Sequence, residues 1–414
     1  MTGPDIRSEP KAATAVPTSD RRTPPHILTL VAMAGIGSLA MNIFLPSLPD
    51  MAREFGVDYA VMQLSVSAYL LASGVLQLFI GPLSDSYGRR PVMLGAFMIF
   101  LAATVGTILA PTANWFLAFR IMQAVSSAGF VLSRAVVRDI TPADRAAARI
   151  GYVTMGMAMV PMVGPIIGGV LHEAFGWRSN FMFLGALGLA VLCMAWVDMG
   201  ETIHDKGLGL RAQIRRYPVL LSSVRFWGYC GAAATASGCY FAYLGGASFV
   251  GETVFHLTPA EVGYFFAIPA LGYVVGNFSA GRWSSRYGMN MMILVGAIIT
   301  FLAVAGALMA DLLGVVSPLL FFGAIGFIGM GNGMLLPNAL AGMMSVRPDL
   351  AGTASGIGGA MNIGGGAILA AITGMLLVPG AGARPLLWVM FISAIGSCLA
   401  ILWVIRRDRR LGAQ

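Results

Sequence analysis

The sequence predicts an all-α, polytopic membrane protein of twelve helices in two six-helix halves, and three observations predict it. Of 414 residues, 57% are hydrophobic and 11% charged, whereas a soluble domain carries roughly 25% charged residues. Mean hydropathy is +0.79, and apolar runs of the ~20 residues that cross a bilayer recur along the whole chain. A glycine-flanked charged segment occurs twice, beginning at Gly81 and again at Gly281. In hydrocarbon every backbone polar group needs an internal partner, so the apolar runs are helices.

Residues 1–25 are polar and rich in Pro, Ala, Ser and Thr, the composition of a disordered cytoplasmic tail. They lack the apolar core and cleavage site of a signal peptide, so the first span is expected to remain as an anchor. Twelve spans follow, at about 26–48, 61–83, 91–110, 115–137, 149–172, 180–198, 225–249, 262–283, 291–312, 316–340, 352–378 and 385–405. The N-terminal half therefore covers 26–198 and the C-terminal half 225–405. A charged, arginine-containing segment, 199–224, is expected to link them in the cytoplasm, and 406–414 forms a basic cytoplasmic tail.

Orientation follows from the basic residues in and beside the loops. Arg21, Arg22, Arg89, Arg90, Arg134, Arg138, Arg145 and Arg149 collect on one side with Lys206, Arg211, Arg215, Arg216, Arg225, Arg282, Arg286, Arg347 and the arginines of the tail. The other side holds Arg53, Arg178 and Arg384, offset by Asp50, Glu54, Asp58, Glu173, Glu252 and Glu261. Positive residues stay inside, which places both termini in the cytoplasm. The net charge of +8 then needs no nucleic acid, since cationic loops meet anionic lipid. Cys193, Cys230, Cys239 and Cys398 all fall in spans, so buried free thiols are expected, with no disulfide framework, no metal and no cofactor.

The repeat pairs Gly81-Pro-Leu-Ser-Asp-Ser-Tyr-Gly88 with Gly281-Arg-Trp-Ser-Ser-Arg-Tyr-Gly288, each joining the second and third span of its half. Two similar halves around a midplane site suit a transporter that rocks one half against the other. In the first copy Asp85, Arg89 and Arg90 carry both signs of charge. One reading is a latch at the cytoplasmic face, in which Arg89 bridges Asp85 and Asp139 while Asp85 meets the eleventh helix's N-terminus. The other is topology signalling by the two arginines alone.

Inside the fourth span, Arg120 is costly unless it finds acceptors. It either lines the transport path, with Gln123, or reaches back to the interface marked by Trp115. In the fifth span, Pro161, Gly164, Pro165, Gly168 and Gly169 combine helix bends with a small-residue face. Possible polar contacts in a central cavity are Asn42, Tyr69, Gln77, Gln123, Tyr240, Tyr243 and Asn332.

These segments resemble the major facilitator superfamily. Gly81 to Arg90 is similar to its loop between helices two and three, Arg120-Ile-Met-Gln123 to its R-x-x-Q motif, and Gly164-Pro-Ile-Ile-Gly-Gly169 to its antiporter motif. Leu45-Pro-Ser-Leu-Pro49 and Val137-Arg-Asp-Ile140 further resemble the Bcr/CflA drug exporters. The resemblance implies the twelve-helix facilitator fold and no enzyme activity. It also implies export of small, moderately apolar drugs or metabolites across a bacterial inner membrane, with protons as the coupling ion. One departure stands out: that group carries an acid where this chain has Asn42, which cannot titrate. An uncoupled uniporter, a metabolite exporter or a non-transporting sensor therefore stay open. If coupling exists, Asp85, Asp139 and Glu252 are the carboxylates to consider.

Overall fold

The computed structural model describes residues 25–141, 160, 163–202, 217–347, 350–378 and 380–412. Twelve helical spans are numbered α1–α12 in chain order. In the first half they are α1 (Ile27–Phe55), α2 (Tyr59–Tyr87), α3 (Arg89–Leu109), α4 (Ala113–Gln123 continuing as Ser127–Ile140), α5 (Val163–Phe175) and α6 (Arg178–Asp198). The second half holds α7 (Val224–Thr253), α8 (Pro259–Tyr287), α9 (Met289–Leu312), α10 (Pro318–Ser345), α11 (Ala351–Leu376) and α12 (Arg384–Gly412). A short helix, Tyr217–Leu221, precedes α7. The expected tail, most of the linker and Pro161 lie outside the described residues.

Ten of these helices are long and apolar enough to cross a membrane. Of the others, α5 is described only in part, and α7 carries too many Gly, Ala, Ser and Tyr residues for a high hydropathy. Its place in the fold explains why: 20 of its 30 residues are buried, so it meets protein more than lipid. A helix enclosed by neighbours gains by small residues that allow close approach, and needs no lipid-facing leucines.

The two halves repeat one packing scheme. In the first, α1 packs on α4 and α6, α3 on α4 and α6, and α2 on α4; in the second, α7 packs on α10 and α12, α9 on α10 and α12, and α8 on α10. Each pair maps on its counterpart by a shift of six spans. The halves meet where α2 runs antiparallel to α11. Along that seam a Cβ at Gly374 would sit 2.8 Å from the Gln63 Cδ, and one at Gly74 would sit 3.3 Å from the Ala360 carbonyl oxygen.

Two spans are broken where the sequence reading drew them continuous. α1 leaves regular helix after Asn42, takes a 3-10 turn at Leu45–Ser47 around Pro46, then continues to Phe55 with Gly56 as a left-handed cap. Proline cannot donate to the preceding turn, so the break falls there. α4 tightens into a 3-10 turn at Ala124–Ser126.

At the end that carries the chain termini, each half is closed by one aspartate. Asp198, at the end of α6, accepts from the His26 backbone N–H at 2.7 Å and the Thr29 hydroxyl at 2.6 Å. Asp408, on α12, pairs with Arg225 at 3.0 Å and accepts from the Asn290 amide at 2.9 Å. Both carboxylates tie the last helix of a half to the start of its first. The cysteines depart from expectation: Cys230 and Cys239 are buried, but Cys193 is exposed on α6 and Cys398 is half-buried.

Candidate functional site

The charged hinge between α2 and α3 is built around Arg89, which is 4% exposed. Gly88 takes φ +102°, a conformation that side chains with a Cβ rarely adopt, and it turns the chain into α3. Arg89 then reaches Asp85 Oδ1 at 2.6 Å and Asp139 Oδ2 at 3.0 Å, and also hydrogen-bonds the Ser84 hydroxyl. Thr202 adds a hydroxyl to Asp139 at 3.4 Å. The bridge thus joins α2, α3 and α4, all within the first half.

A residue that the sequence reading passed over completes this hinge. Glu201, just beyond α6, accepts the backbone N–H of Arg89 at 2.9 Å and that of Arg90 at 3.3 Å. The unsatisfied N–H groups of a helix start favour such an anion. Arg90 serves the matching role at the end of α6, donating to the carbonyls of Met199 at 2.8 Å and Trp196 at 3.3 Å. In the second copy, Asp85, Arg89 and Arg90 are replaced by Ser285, Met289 and Asn290. Gly288 keeps its positive φ of +84°, and Asn290 turns to Asp408 and Tyr229 instead.

Arg120 is fully buried within the first half. Its guanidinium lies between the rings of Phe44 (4.4 Å) and Tyr69 (4.6 Å), and it donates to the Ala40 carbonyl at 3.1 Å and Gln123 Oε1 at 2.6 Å. Gln123 in turn donates to Thr104 at 2.8 Å, linking α4 to α3. Snorkelling to the interface is therefore not the conformation Arg120 adopts. Its Nε and Nη2 are buried without hydrogen-bond partners. Tyr69 is bound to the Gly37 carbonyl at 3.0 Å and Ser126 at 2.9 Å.

The glycines of α5 place it between both halves. A Cβ at Gly168 would run into the Ile43 carbonyl of α1, and one at Gly164 would stand 3.7 Å from the Asn42 Cβ. One at Gly169 would stand 2.8 Å from the Ala260 Cα of α8, and Pro165 faces Gly263 of that helix in return. Nearby, Glu173 accepts the Ala260 N–H at 3.0 Å.

The same end of the bundle, opposite the termini, is tied by further contacts between halves. Ser248 of α7 donates to the Leu45 carbonyl at 2.6 Å, and Tyr59 donates to the Gly245 carbonyl at 2.6 Å. Arg53 bridges Asp50 and Glu252, and His172 hydrogen-bonds Asp50.

The cavity residues expected from the sequence do not converge: Tyr69 and Gln123 lie at Arg120, and the others stand apart. Asn42 faces Gly164, with Nδ2 bonded to the Ser38 carbonyl at 2.7 Å and Oδ1 unpartnered. Gln77 lies on the α2–α11 seam beside Gly359, next to an apolar groove of about 290 Å³ that includes Leu71, Val75, Leu221 and Met361. Tyr240 and Tyr243 pack together at 6.2 Å on α7, the Tyr243 hydroxyl being buried and unpartnered. Asn332 donates to the Ala236 carbonyl at 3.2 Å and leaves its Oδ1 free. Arg134 lies in α4, within the fourth span drawn from the sequence, and its guanidinium lies over Phe130 at 4.0 Å. Among the described residues, no cluster of His, Cys, Asp and Glu is placed to hold a metal.

Comparison with known proteins agrees with this architecture. The profile of the Major Facilitator Superfamily matches residues 30–368 and 253–414. The chain is 30% identical to Multidrug resistance protein D of Escherichia coli, over 91% of this chain and 94% of that protein. It is 28% identical to the Bicyclomycin resistance protein homolog of Haemophilus influenzae, over 92% and 96%. The Chloramphenicol resistance protein of Pseudomonas aeruginosa is 32% identical over 80% and 79%. Among solved structures, a bacterial homolog of the human lysosomal transporter Spinster, inward-facing and occupied, superposes with a TM-score of 0.71, covering 92% of this chain and 96% of that one at 16% identity.

Proposed function

The chain belongs to the major facilitator superfamily of membrane transporters, and on that premise we propose that it is an efflux transporter of a bacterial inner membrane. Its cargo is small, moderately apolar drugs or metabolites, its termini lie in the cytoplasm, and protons moving inward drive the export. The relatives named for multidrug, bicyclomycin and chloramphenicol resistance support export of such molecules. The excess of arginine at the terminal face supports the orientation.

The observation that carries the reading is the set of ties between halves at the face opposite the termini. Ser248 to Leu45, Tyr59 to Gly245 and Arg53 to Glu252 seal that end, while the glycines of α5 let it sit against α1 and α8. With termini in the cytoplasm, this is a transporter sealed on the outside, the state in which an exporter loads. Transport then breaks these ties and remakes contacts at the other end, with each six-helix half moving as a body. Arg89 holds α2, α3 and α4 together during that motion, so the hinge acts within its half.

A second reading, transport without proton coupling, is favoured by one residue. Asn42 stands where the resembling exporters carry an acid, and an amide cannot take up and release a proton. The test of direction and orientation uses cells. A cysteine placed in the C-terminal tail should react with an impermeant maleimide only after the membrane is opened. Expression should lower accumulation of chloramphenicol in a sensitive strain. Labelling in intact cells, or raised accumulation, would overturn the proposal.

A further inference from the structure

Gln63 of α2 is fully buried, yet neither end of its amide has a hydrogen-bond partner among the described residues. The side chain fills a slot between two glycines of the other half. A Cβ at Gly245 of α7 would run into its Nε2, and one at Gly374 of α11 would sit 2.5 Å from its Oε1 and 2.8 Å from its Cδ. Both neighbours therefore have to be glycine for the amide to fit between them. Ser67, one turn along the same face of α2, is also buried with its hydroxyl unpartnered.

The slot belongs to the sealed end of the bundle, opposite the termini. One turn before Gln63, Tyr59 donates to the carbonyl of that same Gly245 at 2.6 Å. Tyr59 and Gln63 thus meet α7 at one point with opposite effects. The Tyr59 hydrogen bond draws the halves together. The Gln63 amide gives up about four hydrogen bonds to water when the slot closes and gains none. Leaving such a group buried and unpaired costs more than one made hydrogen bond returns. When the halves part at this end, Gly245 and Gly374 withdraw and water reaches the amide again. A transporter that alternates between two states needs both of them populated, so its closed end cannot be tied without opposition.

We propose that Gln63 is a functional residue of the transport cycle, whose unpaired amide offsets the ties at this end and keeps the seal breakable. The inference rests on the transporter reading and adds to it the residue that sets the balance between the two states. An apolar side chain of similar length removes the penalty and holds the end shut. A charge in the same slot raises the penalty and opens it. Opposite shifts from two substitutions at one position separate this role from plain packing, which either change would disturb alike.

The test places spin labels at Asp58 and Leu313, exposed at this end on opposite halves, in full-length protein in nanodiscs with its four cysteines replaced by alanine. Pulsed electron resonance then reads the ratio of long to short distances. That ratio should fall at least about fivefold in Gln63→Met and rise at least about fivefold in Gln63→Glu. Gln63→Leu, a second apolar variant, guards against a poor fit of the first, and both should melt no lower than the unaltered protein. Gly374→Ala should raise the long-distance population, and should leave it unchanged beside Gln63→Ala, which empties the slot. Chloramphenicol flux in liposomes, measured in parallel, should drop in both apolar variants because the end opens less often. Apolar variants with an undiminished long-distance population and undiminished flux overturn the proposal, as does a Gly374→Ala effect that persists beside Gln63→Ala. Either result with flux intact refutes only the role of Gln63. No flux in any protein, with one short distance throughout, refutes the transporter reading with it.

Discussion

The Ser248 hydroxyl of α7 donates to the Leu45 carbonyl of α1 at 2.6 Å, at a buried point where the two halves meet. The 3-10 turn around Pro46 sets the Leu45 carbonyl on the Leu48 N–H, and its second lone pair takes the Ser248 hydroxyl. A kink in one half thus supplies the acceptor for the other.

Ser248→Ala removes one of the two donors to that carbonyl, a cost of about 1 kcal/mol to the sealed state. With spin labels at Asp58 and Thr258, which flank this end of the bundle, the long-distance population measured by pulsed electron resonance should rise. An unchanged distance distribution would show that the hydrogen bond does not hold the end shut.

Gly88 and Gly288 offer a controlled comparison. Both have positive φ with ψ near 150°, a region almost confined to glycine, so alanine strains the backbone at either by about 1–3 kcal/mol. At Gly88 a Cβ would also run into the Glu201 carboxylate, whereas at Gly288 it meets open space. Gly88→Ala should therefore lower the melting temperature clearly more than Gly288→Ala. Equal losses would mean that Glu201 yields without cost.

Arg89 is shared by Asp85 and Asp139, so Arg89→Gln leaves two carboxylates near each other without their cation. The expected loss is about 2 kcal/mol, since both acids keep some contact with solvent. Adding Asp85→Asn and Asp139→Asn together should recover most of it. Failure to recover stability in the triple variant would mean that Arg89 acts by packing and not by charge.

Arg120→Met separates cost from use. The guanidinium is buried with two unpartnered nitrogens and no described carboxylate beside it, so removing it should leave thermal stability unchanged or higher. Flux should nevertheless fall at least tenfold if the charge serves transport. A stable variant with full flux would assign Arg120 no role in the cycle.

How far the sequence was legible depends on the range of the interaction. The spans were readable because lipid demands apolar helices of set length, and the repeat because Gly88 and Gly288 both need a positive φ that few residues tolerate. The pairing of Arg89 with Asp85 spans four residues across the Gly88 turn, again a local pattern. Glu201 caps a helix 112 positions away and Arg53 reaches Glu252 across 199, so no spacing announces either. The small residues of α7 hid its centrality, because hydropathy measures contact with lipid rather than enclosure by protein.

The most direct measurement is chloramphenicol flux in liposomes holding the purified protein, with and without an imposed pH gradient, beside Asn42→Asp. A proton-driven exporter concentrates the drug against its gradient only when the pH gradient is present, and the unaltered protein is expected to do so. Downhill flux alone, with uphill transport appearing only in Asn42→Asp, would contradict proton antiport and leave an uncoupled transporter in the exporter's frame.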